Sequence, residues 1–165
     1  MTMTYTVSDI MSEGLCDEYP VERVEALWAG RENLSPNQIA ELDIPILDRI
    51  WILGRLLYRL SQWRAHRITR LIALDVADLW PCPNIAWWYL ASGDKNSRAA
   101  AEADARGAPW AASTASWYAA RDAARDEAID ASWHAAREAS WSARDGKDAA
   151  RERYLGWLVR FGWEV

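Results

Sequence analysis

Side chains that commonly carry catalysis or bind metals are scarce in this chain of 165 residues. His66 and His134 are its only histidines, and two cysteines complete the set. Asp130, His134 and Glu138 recur at four-residue intervals, so they would share one face of a helix. A metal site needs three or four converging ligands, and a charge-paired helix surface accounts for the same spacing. We therefore predict no metal and no cofactor.

The known catalytic motifs are also missing from the sequence. It contains no HExxH, no paired CxxC, no GxGxxG and no phosphate-binding loop, and no serine stands in a GxSxG turn. Without a nucleophile next to a base, or a glycine-rich loop for a cofactor, these residues do not indicate an enzyme. The sequence predicts a protein that binds a partner and catalyses nothing.

Acidic residues dominate the first 48 positions, where ten of them face only Arg23 and Arg31, a net charge of −8. Such a cluster is either a solvated surface or a face that meets a basic partner through complementary charge. A solvated surface is the commoner case for such a cluster. Our leading functional hypothesis is the second interpretation, with docking on a basic protein surface from which nucleic acid is then excluded. The predicted partner-binding residues are Glu13, Asp17, Glu18, Glu22 and Glu25.

A band of arginines follows, because residues 49–74 hold six arginines and no acid. Arginines with an aromatic residue such as Trp63 among them could contact phosphates and single-stranded bases. They could equally pair with the acidic first third of the chain. We favour that pairing, since the net charge is −5, and direct nucleic-acid binding is not expected. The candidate contacts for nucleic acid are Arg55, Arg59, Arg64 and Arg67.

The elements that must position these charges are predicted to be helices. Residues 98–153 are mostly Ala, Arg, Asp and Glu, among which Ala, Arg and Glu are strong helix formers. A central helix is expected from Pro109 to Asp145, with tryptophans filling the space that alanines leave. Trp117 and Trp133 would point to opposite sides, about 160° apart at roughly 100° per residue. The helix therefore either lies between two layers, which we favour, or breaks near Asp130.

Capping residues, prolines and glycines divide the rest of the chain into further helices. No segment alternates polar and apolar residues with a period of two, so no sheet is expected. The predicted fold is all-α, a single-domain bundle of about six to eight helices around the long Ala/Trp-rich helix. We divide it into acidic short helices (1–42), arginine-bearing helices (43–93) and Ala/Trp-rich helices (94–165). The individual helices are predicted at 8–14, 20–30, 36–42, 45–61, 64–80, 85–93 and 147–161.

Two cysteines without a secretion signal predict reduced thiols in a cytoplasm. No apolar run approaches the roughly 20 residues that span a membrane, so no membrane partner is expected. Exposed Trp and Ala faces leave open self-association, as a homodimer or a larger structural assembly.

Three stretches resemble a group of small helical immunity proteins encoded by phages and prophages. They are DIPILDRIWILGRLL at 43–57, LASGD at 90–94 and YLGWL at 154–158. The resemblance implies a mobile-element origin and carries no catalytic residues. A small acidic protein of that origin is expected to inhibit a bacterial defence system, similar in kind to anti-CRISPR proteins, or to neutralise a toxin.

Overall fold

The computed structural model describes residues 3–79, 82–107, 131–143 and 145–163. Over these ranges the chain forms nine α-helices and a short 3-10 helix at Ala77–Leu79, so the all-α prediction is confirmed and the helix count exceeds the six to eight expected. None of the helices in these ranges is long and apolar enough to cross a membrane. The helices are α1 (Val7–Met11), α2 (Val21–Trp28), α3 (Pro36–Ala40), α4 (Ile46–Leu60), α5 (Gln62–Leu74), α6 (Asn84–Ser92), α7 (Lys95–Gly107), α8 (Ala131–Ser142) and α9 (Lys147–Trp163).

The short N-terminal helices depend on capping boxes. Before α1, the Thr6 hydroxyl accepts the Asp9 N–H at 3.2 Å, while the Asp9 carboxylate accepts the Thr6 N–H at 2.8 Å. Ser35 and Gln38 exchange the same pair of bonds before α3. These reciprocal bonds satisfy N–H groups that a helix start leaves free. The helix was predicted at 8–14, with Ser8 as its cap; that cap was wrong, because Thr6 is two residues earlier and has the matching acid, Asp9.

Helix α5 is shifted toward the N-terminus relative to the prediction of 64–80. The Ser61 hydroxyl accepts the Arg64 N–H at 3.4 Å, so the helix begins at Gln62. It ends at Leu74, and the carboxylate of the next residue, Asp75, accepts bonds from Tyr154 at 2.9 Å and Arg153 at 2.6 Å on a distant helix. Residue 80, the predicted end, lies outside the described residues.

The core forms where α4, α5 and α9 meet. Ile50, Leu53 and Leu57 of α4 are fully buried, and they pack with buried apolar side chains of the other two helices. Near the end of α9, a Cβ built on Gly162 would lie 3.0 Å from a Leu57 methyl carbon. An alanine here would force that methyl group to move by a few tenths of an ångström, so glycine favours the close approach of α9 to α4.

The Ala-rich helix α8 lies against this core, on α4, α5 and α9. Its Ala135, Ala136 and Ala139 are fully buried, which fits the predicted central position. It ends at Ser142, three residues before the predicted Asp145, and Gly146 follows in the left-handed region at φ +93°. Residues 108–130, including the predicted start at Pro109 and the tryptophans at 110 and 117, lie outside the described residues.

Tryptophans do not fill the core as predicted. Among those whose side chains the structure describes, only Trp28 is buried, whereas Trp63, Trp88 and Trp141 are more than half exposed. The large aromatic side chains buried completely are Tyr89 and Tyr154. Of the described tryptophans, four are exposed, whereas Trp51, Trp157 and Trp163 are partly buried against the core.

Candidate functional site

Glu13, predicted to bind a partner, belongs to the interior. Its side chain is only 1% exposed, and its two carboxylate oxygens lie 2.8 Å from Arg59 Nε and 3.2 Å from Arg55 Nε. A carboxylate buried without counter-charge would be destabilising by several kcal/mol. The pairing therefore locks the loop after α1 onto α4, and the placement of Glu13 on the docking face was wrong.

The two arginines that hold Glu13 are one helical turn apart on α4. Arg59 also donates to the backbone carbonyl of Ser12 at 3.2 Å, and Arg55 lies over the Trp51 ring, 4.8 Å from its centroid. Internal pairing with the acidic first third, the alternative we favoured, is confirmed for both. Both arginines thus have an internal counter-charge, and nucleic-acid contact through them stays the alternative that we did not favour.

The other two candidate arginines have separate surroundings on α5. Arg64 donates to the carbonyl of Gly162 at 3.2 Å, where it offsets the partial negative charge at the end of α9. Arg67 is exposed and lies over the Trp63 ring, 5.7 Å from its centroid. The band that is continuous in sequence is therefore divided among different surfaces.

The four remaining acids form an exposed group that we call the acidic face: Asp17, Glu18, Glu22 and Glu25. Two of them precede α2, and two lie at exposed positions on it. None of the four makes an ion pair with a described side chain. The nearby Arg23 donates to the backbone carbonyl of Glu18 at 2.7 Å and leaves the carboxylates uncompensated.

An apolar pocket of about 280 Å³ is lined in part by Cys16, Tyr19 and Val24, each of which is next in sequence to a residue of the acidic face. The exposed Gly14 and Cys16 place its mouth at the loop after α1. Sequence periodicity does not reveal it, because its walls come from separate helices and loops that only the fold brings together. The large side chains that line it include Leu15, Tyr19, Leu27, Trp28, Trp51 and Trp133.

One hydrogen bond supplies polarity within this apolar wall. The Tyr19 hydroxyl donates to an Asp48 carboxylate oxygen at 2.5 Å. Burial and the adjacent Asp48 raise the pKa of Tyr19 above its ordinary value, so the hydroxyl stays protonated and keeps donating. The bond fixes the tyrosine ring as a rigid part of the pocket.

The two cysteines differ in accessibility. Cys16 is exposed at the pocket mouth, whereas burial raises the pKa of the Cys82 thiol to about 11. Because the thiolate is the reactive form, alkylation near neutral pH should select Cys16. Cys16 therefore allows selective chemical modification at the pocket.

The histidine-centred cluster considered from sequence has ordinary contacts. The His134 ring meets the Trp133 ring edge-on, with centroids 4.8 Å apart, and the Glu138 carboxylate lies 2.6 Å from Arg137. Asp130 lies outside the described residues. Across the described ranges, no group of three or more His, Cys, Asp or Glu side chains is arranged to hold a metal.

Comparison with known proteins assigns no family. No protein-family model matches the chain, and no curated protein or solved structure matches it significantly. The similarity to phage-encoded immunity proteins therefore stays a prediction, and function has to be argued from the geometry of this chain.

Proposed function

We propose that this protein is a non-catalytic inhibitor that docks through its acidic face onto a basic surface of a bacterial defence protein. The observation that carries the proposal is the apolar pocket, whose lining residues Cys16, Tyr19 and Val24 are each next in sequence to an unpaired carboxylate of the acidic face. An apolar cavity alone would accept many ligands, and exposed acids alone are often solvated. Their combination favours a partner with a cationic surface and one protruding apolar side chain.

The two features would make different contributions to binding. Exposed carboxylates accelerate association with a basic surface and exclude partners of the wrong charge. An apolar anchor in a preformed pocket usually supplies much of the affinity, because a few well-buried side chains dominate most interfaces. The rigid Tyr19 wall favours such an anchor, since little ordering is needed when the partner binds.

The proposed consequence is competition with nucleic acid. Proteins that handle DNA or RNA neutralise phosphates with clustered Lys and Arg, and a surface of that kind is complementary to the acidic face. A protein seated there would cover the phosphate-binding groups. The choice of a bacterial defence protein as the target rests on the resemblance to phage-encoded immunity proteins.

Charge reversal at two matched pairs of residues tests the acidic face. The test variant is Glu22→Lys with Glu25→Lys on α2. The control is Asp148→Lys with Glu152→Lys on α9, which likewise reverses one acid in the first turn of a helix and another about one turn later. Asp148 and Glu152 have side chains 89% and 65% exposed, so the control should also fold.

Both variants are used to capture partners from a nuclease-treated bacterial lysate, and each captured protein is purified and assayed for nucleic-acid binding. The expected partner is a basic nucleic-acid-binding protein that the wild type and the control retain and inhibit. The α2 variant should lose both capture and inhibition while its circular dichroism is unchanged. Equal inhibition by the α2 variant, or a captured partner that binds no nucleic acid, would refute the proposal.

Alkylation of Cys16 with a bulky maleimide tests the pocket separately. The adduct fills the mouth without changing any charge, so affinity for the captured partner should fall while the salt dependence of association is retained. A Cys16→Ser protein treated with the same reagent is the control. Full affinity of the alkylated wild type would eliminate the pocket from the interface.

A further inference from the structure

A second cavity, of about 640 Å³, lies between α5, the end of α6 and the start of α7. We call it the basic cleft. It shares no lining residue with the acidic face or its pocket. Four cationic side chains line it, and none of its described lining residues is acidic. The cationic residues are Arg67, Arg70, Lys95 and Arg98.

Arg70 is the unusual member of this group. The residue is only 9% exposed, yet its guanidinium pairs with no carboxylate among the described side chains. Its partner is the Tyr89 ring, whose centroid is 5.9 Å away, at the outer limit of a cation–π contact. Burying a cation without an anion is unfavourable, so an anion in the cleft would complete this arrangement.

The backbone at the end of α6 is shaped around that guanidinium. Gly93 has φ +69°, and a Cβ at this position would lie 2.5 Å from Arg70 Nη2. Glycine thus provides both the left-handed turn and the space that the Arg70 side chain occupies.

The acid closest to the cleft in sequence is engaged elsewhere. Asp94 is not part of the lining, and its carboxylate accepts the Asn96 N–H at 3.1 Å at the start of α7. No described acidic side chain of the lining therefore competes with an incoming anion.

An aromatic surface adjoins the cations. Trp63 lines the cleft from α5 and is 64% exposed, so its ring is open for stacking. Stacking on an aromatic side chain is how proteins commonly hold a nucleobase whose phosphate is bound by cations. The cavity volume is also within the range of about 300–1,000 Å³ that is typical of small-molecule sites.

From these observations we propose that the basic cleft binds a nucleotide unit, with its phosphate on Arg70 and its base on Trp63. Arg67, Lys95 and Arg98 surround the phosphate. The same chemistry is offered by a free nucleotide and by a nucleotide within a single strand.

Calorimetric titration of the full-length protein at low salt tests this proposal. The probes are inorganic phosphate, adenosine monophosphate and a single-stranded oligo-dA. We expect at least one nucleotide probe to bind about tenfold or more tightly than phosphate, because stacking adds to the phosphate contact. Binding of the monophosphate identifies a free nucleotide as the source, and binding of the oligonucleotide alone identifies a strand. Binding of neither, or equal binding of phosphate and monophosphate, overturns the proposal.

Variants locate the binding site. Arg70→Gln should weaken nucleotide binding about tenfold or more, because it removes a charge-assisted contact. Gly93→Ala should weaken it several-fold by displacing the guanidinium. Gly30→Ala is the matched control, since Gly30 also has a positive φ, +77°, but has no atom within 4 Å of an added Cβ. Equal affinities of the two alanine variants would contradict the assigned role of Arg70.

The two lysines of the chain provide a test that does not disturb a buried residue. Lys95 is exposed at the cleft, and Lys147 is exposed at the start of α9, where it lies 4.7 Å from the Trp141 ring centroid. Lys95→Gln should weaken nucleotide binding and reduce its salt dependence. Lys147→Gln removes the same net charge and should leave both unchanged. If both substitutions have the same effect, the binding is non-specific and the proposal fails.

Discussion

Two buried charges of opposite sign, Glu13 and Arg70, can be compared directly. Both are at most 9% exposed, but Glu13 is held between two arginines, whereas Arg70 faces an open cleft without a carboxylate among the described side chains. A buried charge with internal counter-ions is part of the structure, and removing it leaves those counter-ions unpaired. A buried charge without an internal counter-ion is energetically unfavourable, and a ligand of opposite charge would stabilise it. Burial alone therefore does not distinguish a structural charge from a functional one.

The largest expected effect is on the free energy of unfolding when Glu13, the charge with internal counter-ions, is removed. Glu13→Ala should lower the free energy of unfolding by about 3 kcal/mol, because Arg55 and Arg59 lose their shared counter-charge. Glu25→Ala, which removes an exposed acid of the acidic face, should change it by no more than about 0.5 kcal/mol. Urea unfolding of both variants measures the two values. A similar, small loss in both would mean that Glu13 is not the structural anchor inferred here.

A smaller effect on stability, of opposite sign, is expected when Arg70 is replaced. Arg70→Met keeps an unbranched side chain but removes an unpaired buried cation, so in phosphate-free buffer it should be neutral or stabilising by up to about 1 kcal/mol. Arg55→Met is the matched substitution and should be destabilising, because it removes one of the two guanidinium groups that neutralise Glu13. If Arg70→Met destabilised the protein as much as Arg55→Met, Arg70 would have a structural counter-ion after all.

The smallest effect concerns a charge pair at the surface, Asp145 with Arg153. A hydrogen bond from Arg153 holds the pKa of Asp145 below its ordinary value. A lowered pKa in the folded state stabilises the protein above the ordinary value, near 3.8, and this contribution is lost as the pH falls through the folded-state pKa. The melting temperatures of wild type and Asp145→Asn should therefore converge as the pH is lowered from about 5 to below 3. A difference that stays constant with pH would show that the pair does not contribute through ionisation.

Local features of the sequence were sufficient for the helical class and for most helix boundaries. Prolines such as Pro36 and glycines such as Gly30 and Gly93 act through their own torsion angles, so their effect is visible in any fold. The start of α1 was misassigned because Thr6 caps the helix. The early end of α5 was not predicted from the sequence, and Asp75, which follows it, bonds to residues almost 80 positions away.

The sequence alone therefore predicts the set of helices, the overall acidity and enough charge for a binding role. The tertiary structure alone decided which charges meet. It brought Glu13 to an arginine 42 positions away, assembled the apolar pocket from separate segments, and placed Arg70 with Lys95 and Arg98 in one cleft. The physical reason is that these interactions act over different distances along the chain. Torsional preferences and caps act over a few residues, whereas ion pairing and burial depend on neighbours in space.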